Sequence, residues 1–408
     1  MNAFYSKTFP FIYVLYEPIM FFNRLIIFSI FEPNRNVNQL MTYIWQHKNW
    51  PKFTYSVDEL QEISISFAQE FGLVNGLVLG LNEESKQEAL LELLISEAIK
   101  TSEIEGEYLS REDVMSSIKN NLGLQNSMPV KDKKASGIAK LMTEVNQHKD
   151  QKLTIEILCY WHKILLEHNS KINAGFWRAG VEPMQVVSGA YGSEEVYYEA
   201  PPSNRVPMEM EQFFKWYHQP ELPVKDDISK AILKSAIAHL YFETIHPFED
   251  GNGRIGRALA ELTLSQMIKS PVLLSLSKTI EKGKKQYYEQ LMVGQRDLDI
   301  TEWINYFARV ILDAQIDAKE LVQFTLLKAK FFDRNREQLN ERQLKVINRM
   351  FENGVDGFEG GMTAKKYMAI TKTSKATATR DLQYLQEIGV FIQEGAGRSV
   401  RYGLLLLL

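Results

Sequence analysis

One cysteine, Cys159, is all that the 408 residues hold, so no intrachain disulfide can staple the fold and stability has to come from burial. In its apolar helical run, that thiol reads as packed rather than nucleophilic. An excess of positive charge is missing too: 47 Lys and Arg stand against 51 Asp and Glu, a net of −4. That balance argues against a surface made mainly for a nucleic-acid backbone. No uninterrupted apolar run approaches the roughly 20 residues of a membrane span. The apolar stretch 9–31 is broken by Pro10, Glu17, Pro18, Asn23 and Arg24, and it lacks the layout of a secretion signal. No membrane partner is expected, and the single thiol fits a reducing, cytoplasmic setting. A Walker A loop, which needs Gly-Lys-Ser/Thr, is absent as well. What remains is an ordinary soluble, globular composition, with length for two or three domains.

The most informative stretch runs from His246 to Arg257: His-Pro-Phe-Glu-Asp-Gly-Asn-Gly-Arg-Ile-Gly-Arg. Before it, Ile228, Ile232, Ala236 and Leu240, with Leu233, Ile237 and Tyr241, predict a helix apolar on too wide a face for the surface. After it, Ile255, Ala258, Leu259, Leu262 and Met267 begin a second helix. The motif is therefore a loop between two buried helices. Gly251 and Gly253 allow a tight turn whose amides can point at a ligand. The following helix N-terminus favours an anion. Arg254 and Arg257 offer forked donors for phosphate oxygens. Asp250 is a hard ligand suited to Mg2+, and His246 can accept a proton near neutrality. Together they point to phosphoryl or nucleotidyl transfer. Gly251 to Gly256 also satisfies G-x-G-x-x-G, but a dinucleotide fold needs a strand before it, and here a helix precedes it.

The string His-x-Phe-x-Asp-Gly-Asn-Gly-Arg-x-x-Arg resembles the signature of the Fic family, whose members mostly transfer AMP from ATP to protein hydroxyls. His246, Phe248, Asp250, Gly251, Asn252, Gly253, Arg254 and Arg257 all match. The resemblance implies that His246 deprotonates a Ser, Thr or Tyr hydroxyl and that Asp250 holds Mg2+ on the α- and β-phosphates. Asn252, Arg254 and the Gly251–Gly253 amides would cradle the phosphates. Arg257 would pair with the γ-phosphate, and Phe248 would be buried to position the loop.

Residues 1–40 look foreign to the rest and are expected to be an artefactual or poorly ordered extension. From 41 to 125 the pattern is helical, with Trp45, Trp50, Pro51 and Phe53 expected in the core. A helix there ends at Thr101-Ser102-Glu103-Ile104-Glu105-Gly106. Gly106 is a natural helix stop, but a Glu beside it runs against the helix dipole. Self-inhibited Fic proteins carry Ser/Thr-x-x-x-Glu-Gly/Asn, which Thr101, Glu105 and Gly106 match. The resemblance implies that Glu105 pairs with Arg257 in the place of the γ-phosphate.

The expected catalytic domain, 126–315, contains His162 and His168, both read as structural or solvated, and a β-rich interruption at 184–200. In Fic proteins a hairpin flap here holds the target by strand addition; Val186, Val187, Ser188 and Gly189 would be its docking strand. By the same resemblance Tyr287 would lie against the adenosine, and Gln295 stands where relatives use Asn near the adenine. A charged helical connector is expected at 316–338. From 339 to 408, three helices and a hairpin around Gly395-Ala396-Gly397 make a winged-helix pattern; ten Lys and Arg against seven Asp and Glu from Asn340 onward leave +3. Lys375, Arg380, Arg398 and Arg401 are the candidates for DNA contact.

The expected fold is thus mainly α: a Fic-type bundle with a hairpin flap and a C-terminal winged helix. The expected activity is an ATP- and Mg2+-dependent protein adenylyltransferase restrained by Glu105. Its partner would be a target protein hydroxyl or the protein's own. Two alternatives stay open, a winged-helix transcriptional regulator whose Fic site senses nucleotide and a de-AMPylating enzyme. A homodimer is a further expectation.

Overall fold

The computed structural model describes residues 43–124, 129–188, 195–269, 272–352 and 354–406. The extension expected at 1–40 lies outside them. Two compact units divide the chain, one running to residue 334 and one spanning 335–406. Among the described residues, fourteen α-helices and four short strands make up the regular structure.

The first unit is organised around two helices, α7 (Asp227–Ile245) and α8 (Asn252–Ile268), joined by the turn 246–251. Asp226 caps α7 by accepting from the Ser229 amide at 2.7 Å, which satisfies one donor left open at the helix start. The apolar face of α7 is wide because it serves two cores. Ala238, Tyr241, Phe242 and Ile245 enter one, with Ile255, Ala258, Leu259 and Leu262 of α8. Ile232, Leu233, Ala236, Ile237 and Leu240 enter the other, with Ala260 and Leu264. The pair is a wall between two packed compartments. Each large side chain buried there contributes about 1.5–3 kcal/mol.

The first compartment is filled by α2 (Glu83–Ile104), α3 (Arg111–Asn121), α4 (Lys133–Gln147), α5 (Ile155–Leu166) and α6 (Val206–His218). The second is filled by α1 (Asp58–Leu79), α9 (Leu276–Lys282), α10 (Lys284–Gly294) and α11 (Thr301–Asn335). No break separates a catalytic domain from a connector near 315. Helix α11 continues through that point, burying Ala318 and Val322, and Val322 packs with Val74, Leu81 and Ala89. The charges that suggested a linker are partly ion pairs to the bundle, such as Lys319 with Glu70 at 2.5 Å.

Strands β1 (Gln185–Ser188) and β2 (Glu195–Glu199) form an antiparallel pair, with an irregularity between Val186 and Val187. The second unit holds α12 (Glu341–Phe351), α13 (Ala364–Thr371), α14 (Lys375–Glu387) and the antiparallel strands β3 (Phe391–Glu394) and β4 (Arg401–Leu404). Val346, Ile347, Tyr367, Leu382 and Leu385 are buried in it. Inside, Asp381 accepts from the Tyr367 hydroxyl at 2.8 Å and from Arg342 at 3.3 Å.

Candidate active site

Helix α7 ends because His246 turns left-handed, with φ 50° and ψ 60°, while its amide still donates to the Phe242 carbonyl. A side chain in that region costs about 1–2 kcal/mol, so the neighbours must hold it. Arg178 does so: its Nε donates to the His246 carbonyl at 2.7 Å, and its Nη2 donates to the carbonyls of Pro201 and Ile245 at 2.5 and 3.2 Å. Phe248 is fully buried and stacks on His162 with ring centroids 4.0 Å apart. His162 Nδ1 accepts from the Gly175 amide at 2.8 Å. Burial pushes that imidazole down to about 4, despite the nearby Asp250. It is a neutral floor for the loop, in line with a structural role.

Asn252 spends its side chain on the loop itself. Its Oδ1 accepts from the Phe248 amide and its Nδ2 donates to the Phe248 carbonyl, both at 2.9 Å. What it keeps for a ligand is its backbone amide at the start of α8. Gly251, at φ 80°, is in the left-handed region where a side chain would be strained. A methyl there would also meet Leu165 and Leu166 at 3.1 and 3.2 Å.

Two carboxylates from the end of α2 meet the two motif arginines. Glu105 Oε1 accepts from Arg257 Nη2 at 2.7 Å. Arg257 also donates to the Thr101 hydroxyl at 2.8 Å and to the Thr101 carbonyl at 3.0 Å. Burial opposes the charge of Arg257, but Glu105 and the neighbouring tyrosines outweigh it and raise its pKa. Gly106, at φ 80°, turns the chain after Glu105, and Glu107 then accepts from Arg254 Nη1 at 2.6 Å and from Lys134 at 2.7 Å. Gly253 leaves room for this: a methyl there would overlap Glu105 Oε1 and come within 3.0 Å of Arg257 Nη1.

Asp250 is about half exposed at 48%. Its Oδ1 accepts from the Gly251 amide at 2.5 Å and from Arg254 at 3.3 Å. Among the described residues no group of three or more His, Cys, Asp or Glu could hold a metal. One exposed carboxylate beside a helix N-terminus and two arginines nevertheless fits Mg2+, which commonly takes one or two carboxylates and completes its shell with phosphates and water. Burial, followed by the positive charge of Arg178, pushes His246 down to about 4. Its ring is uncharged at neutral pH and able to accept a proton.

Two residues expected near the nucleoside are buried in the packing. Tyr287 is buried between His239 and Trp303 and shares a hydrogen bond with His239 Nε2 at 2.9 Å. Gln295, 4% exposed, donates to the Glu243 carbonyl at 3.2 Å. Tyr288, next along α10, lies close enough to Glu105 and Arg257 for both to act on its hydroxyl.

Strand β2 is tied to the end of α7 by the Tyr198 hydroxyl, which donates to the Thr244 carbonyl at 2.6 Å. Arg296 holds it from the other side through the Tyr197 carbonyl at 3.1 Å. Val186 pairs with Tyr198, Val187 with Val196 and Ser188 with Glu195; Gly189 lies outside the described residues. Among the described residues β1 has β2 as its sole partner strand. Lys375 and Arg380 are exposed on α14, and Arg401 pairs with Glu394 across the hairpin at 3.0 Å. For Arg398 only the backbone position, in the turn before β4, is described.

Three residues were missed in the sequence. Arg178 had a signal only in its polar charge inside an aromatic run. Glu107 lies two places beyond Glu105, where nothing in the helix pattern marks it. Glu243 sits in a helix that is buried along almost its whole length, where a carboxylate needs a reason.

The Fic/DOC family description matches residues 152–264, and a domain of unknown function, DUF4172, matches residues 43–124. The protein adenylyltransferase Fic of Nematostella vectensis is 23% identical over 264 residues, covering 64% of this chain and 56% of its own length. A probable protein adenylyltransferase of Aquifex aeolicus is 35% identical over 89 residues, covering 19% of this chain and 28% of its own. The chain thus spans about half or less of these relatives. A solved Fic family protein from Desulfovibrio desulfuricans shares the fold with a TM-score of 0.52 at 19% identity, over 87% of this chain and 98% of that one. Residues 152–264 thus match the Fic/DOC family, and the chain has the fold of a solved Fic family protein.

Proposed function

We propose that the protein transfers AMP from ATP to a hydroxyl of a protein substrate and restrains itself through Glu105. The observation that carries the reading is the loop 246–257. It sets an uncharged, partly buried imidazole beside an exposed carboxylate, a helix N-terminus and two arginines that are already holding oxyanions. Those oxyanions are the carboxylates of Glu105 and Glu107, which stand in for phosphate oxygens.

His246 takes the proton of the attacking hydroxyl. The hydroxyl oxygen then bonds to the α-phosphorus as the bond to the leaving pyrophosphate breaks. The Asn252 and Gly253 amides and Arg254 hold the phosphate charge, and Arg257 takes the γ-phosphate once Glu105 withdraws. Mg2+ held by Asp250 would supply further neutralisation of the triphosphate. Strand β1 would dock the target segment by pairing along its open edge.

Incubation of Glu105→Gly with ATP labelled on the α-phosphate, in lysate with Mg2+, tests the reading. Label should appear on protein at least tenfold above the unmutated chain and vanish with His246→Ala added. Label that survives His246→Ala, or its absence from both, would contradict it.

A further inference from the structure

We infer that Glu243 is a positioning residue for His246, holding Nδ1–H of the ring so that Nε2 remains the bare nitrogen that takes the proton. This rests on the transfer reading above. The two residues stand three apart at the end of α7, where side chains share a face. Glu243 Oε2 lies 3.8 Å from His246 Nδ1. Nδ1 is buried and lacks a hydrogen-bond partner, as does the other carboxyl oxygen, Oε1; for Nδ1 that is costly unless a rearrangement brings Oε2 within reach. A distance of 3.8 Å is too long for a bond, but catalytic hydrogen bonds often close only when substrate binds.

The neighbouring helix makes room for this carboxyl. A methyl at Gly256 would overlap Glu243 Oε1 and come within 3.2 Å of His239. Helix α8 therefore leaves out a side chain where the carboxyl lodges. Burial outweighs the attraction of Arg257 on α8 and is reinforced by Glu105 on α2, so the carboxyl keeps its proton and one of its oxygens remains an acceptor; Tyr287 on α10 lies beside it. Gln295 pins the Glu243 carbonyl, and that carbonyl also faces the His246 ring. A neutral imidazole has one N–H, and the acceptor it meets decides which nitrogen carries it. With the Glu243 carboxyl oxygen Oε2 on the Nδ1 side, acting as acceptor, the ring proton is drawn there.

The test is nitrogen-15 NMR of the histidine rings in the full chain, with His246 assigned by its loss in His246→Ala. The unmutated protein and Glu243→Gln, whose amide oxygen can still accept, should show His246 as the single Nδ1–H form. Glu243→Met, of similar size without an acceptor, should show a mixture of both ring forms. An unmixed Nδ1–H form in Glu243→Met would overturn the inference, because the backbone carbonyl alone would then hold the ring. Should Glu243→Met fail to fold, Gly256→Ala displaces the intact carboxyl and is read the same way. In the Glu105→Gly background, Glu243→Met should lower kcat by about ten- to a hundredfold at unchanged KM, with Glu243→Gln restoring most of it. If the Glu105→Gly parent itself transfers no AMP, the transfer reading falls, while the ring spectrum still decides the role of Glu243.

Discussion

At neutral pH the buried Glu243 side chain keeps a proton that an unfolded chain would release. Burial first, with some repulsion from Glu105 and partial relief by Arg257, pushes its carboxyl up to about 8. Between the ordinary carboxyl value and about 8, the folded protein binds more protons than the unfolded one, so stability falls as pH rises through that window. A Gln at this position has nothing to release. Glu243→Gln should therefore gain thermal stability over the unmutated protein as pH rises from near 5 to near 8, by about 1.4 kcal/mol per unit at most, and gain nothing further above that. Parallel melts across this range check it, and a difference that does not change with pH would show that the carboxyl is solvated. Residues whose meaning lies in spacing were legible beforehand: His246, Phe248, Asp250 and the two arginines sit where a loop of that composition must place them. Glu243 was not legible, because a helix pattern reports which residues face inward and not which of them touch the loop. The burial of Tyr287 and Gln295 was not legible for the related reason: Tyr287 turns into the second core, and Gln295, just past the end of α10, spends its amide on the Glu243 carbonyl.

Helix α2 shows how a single element links packing to control. Its body is held by core contacts of Leu91, Leu94, Ile95 and Ala98, and its last turn delivers Glu105 and, past Gly106, Glu107 to the arginines of α8. The Glu105 contact could be expected from a short pattern upstream of an intact motif. The Glu107 contact depends on the positive φ at Gly106, which sequence spacing does not reveal. In the proposed reaction Arg254 must change partners, so Glu107→Gln should tighten ATP binding by about two- to fivefold. A partly exposed ion pair contributes about 1 kcal/mol or less, and 1.4 kcal/mol corresponds to a factor of ten. Calorimetric titration with ATP and Mg2+ measures it, and an unchanged Kd would place Glu107 outside the path of the nucleotide.

Over the whole first unit, Arg178 joins segments far apart in sequence: its own loop, the stretch 201–203 that follows β2, and the end of α7 with the start of the motif. It is buried, among the described residues no carboxylate pairs with it, and burial lowers its pKa to about 10. Its charge is met by carbonyls. Arg178→Met should cost about 3–5 kcal/mol, since it leaves several buried acceptors open at once, and should release the left-handed turn at His246. A thermal midpoint unchanged by the substitution would show that Phe248 and Asn252 hold the loop unaided. At this scale the sequence was readable in outline: helical periodicity gave the bundle, the hairpin and the order of elements beyond 339. That α11 runs unbroken past 315 was not legible, because its surface charge looks like a linker until the ion pairs to α1 and α2 are seen. Among the described residues no helix is long and apolar enough to cross a membrane.

The central claim, that an uncharged His246 beside a phosphate cradle moves AMP onto protein, meets its most direct test in mass spectrometry of lysate proteins. They would be treated with ATP, Mg2+ and either Glu105→Gly or the double variant Glu105→Gly/His246→Ala. The account predicts peptides carrying one added AMP on a hydroxyl with the first protein and none with the second; AMP on the same peptides with both, or on none with either, would contradict it.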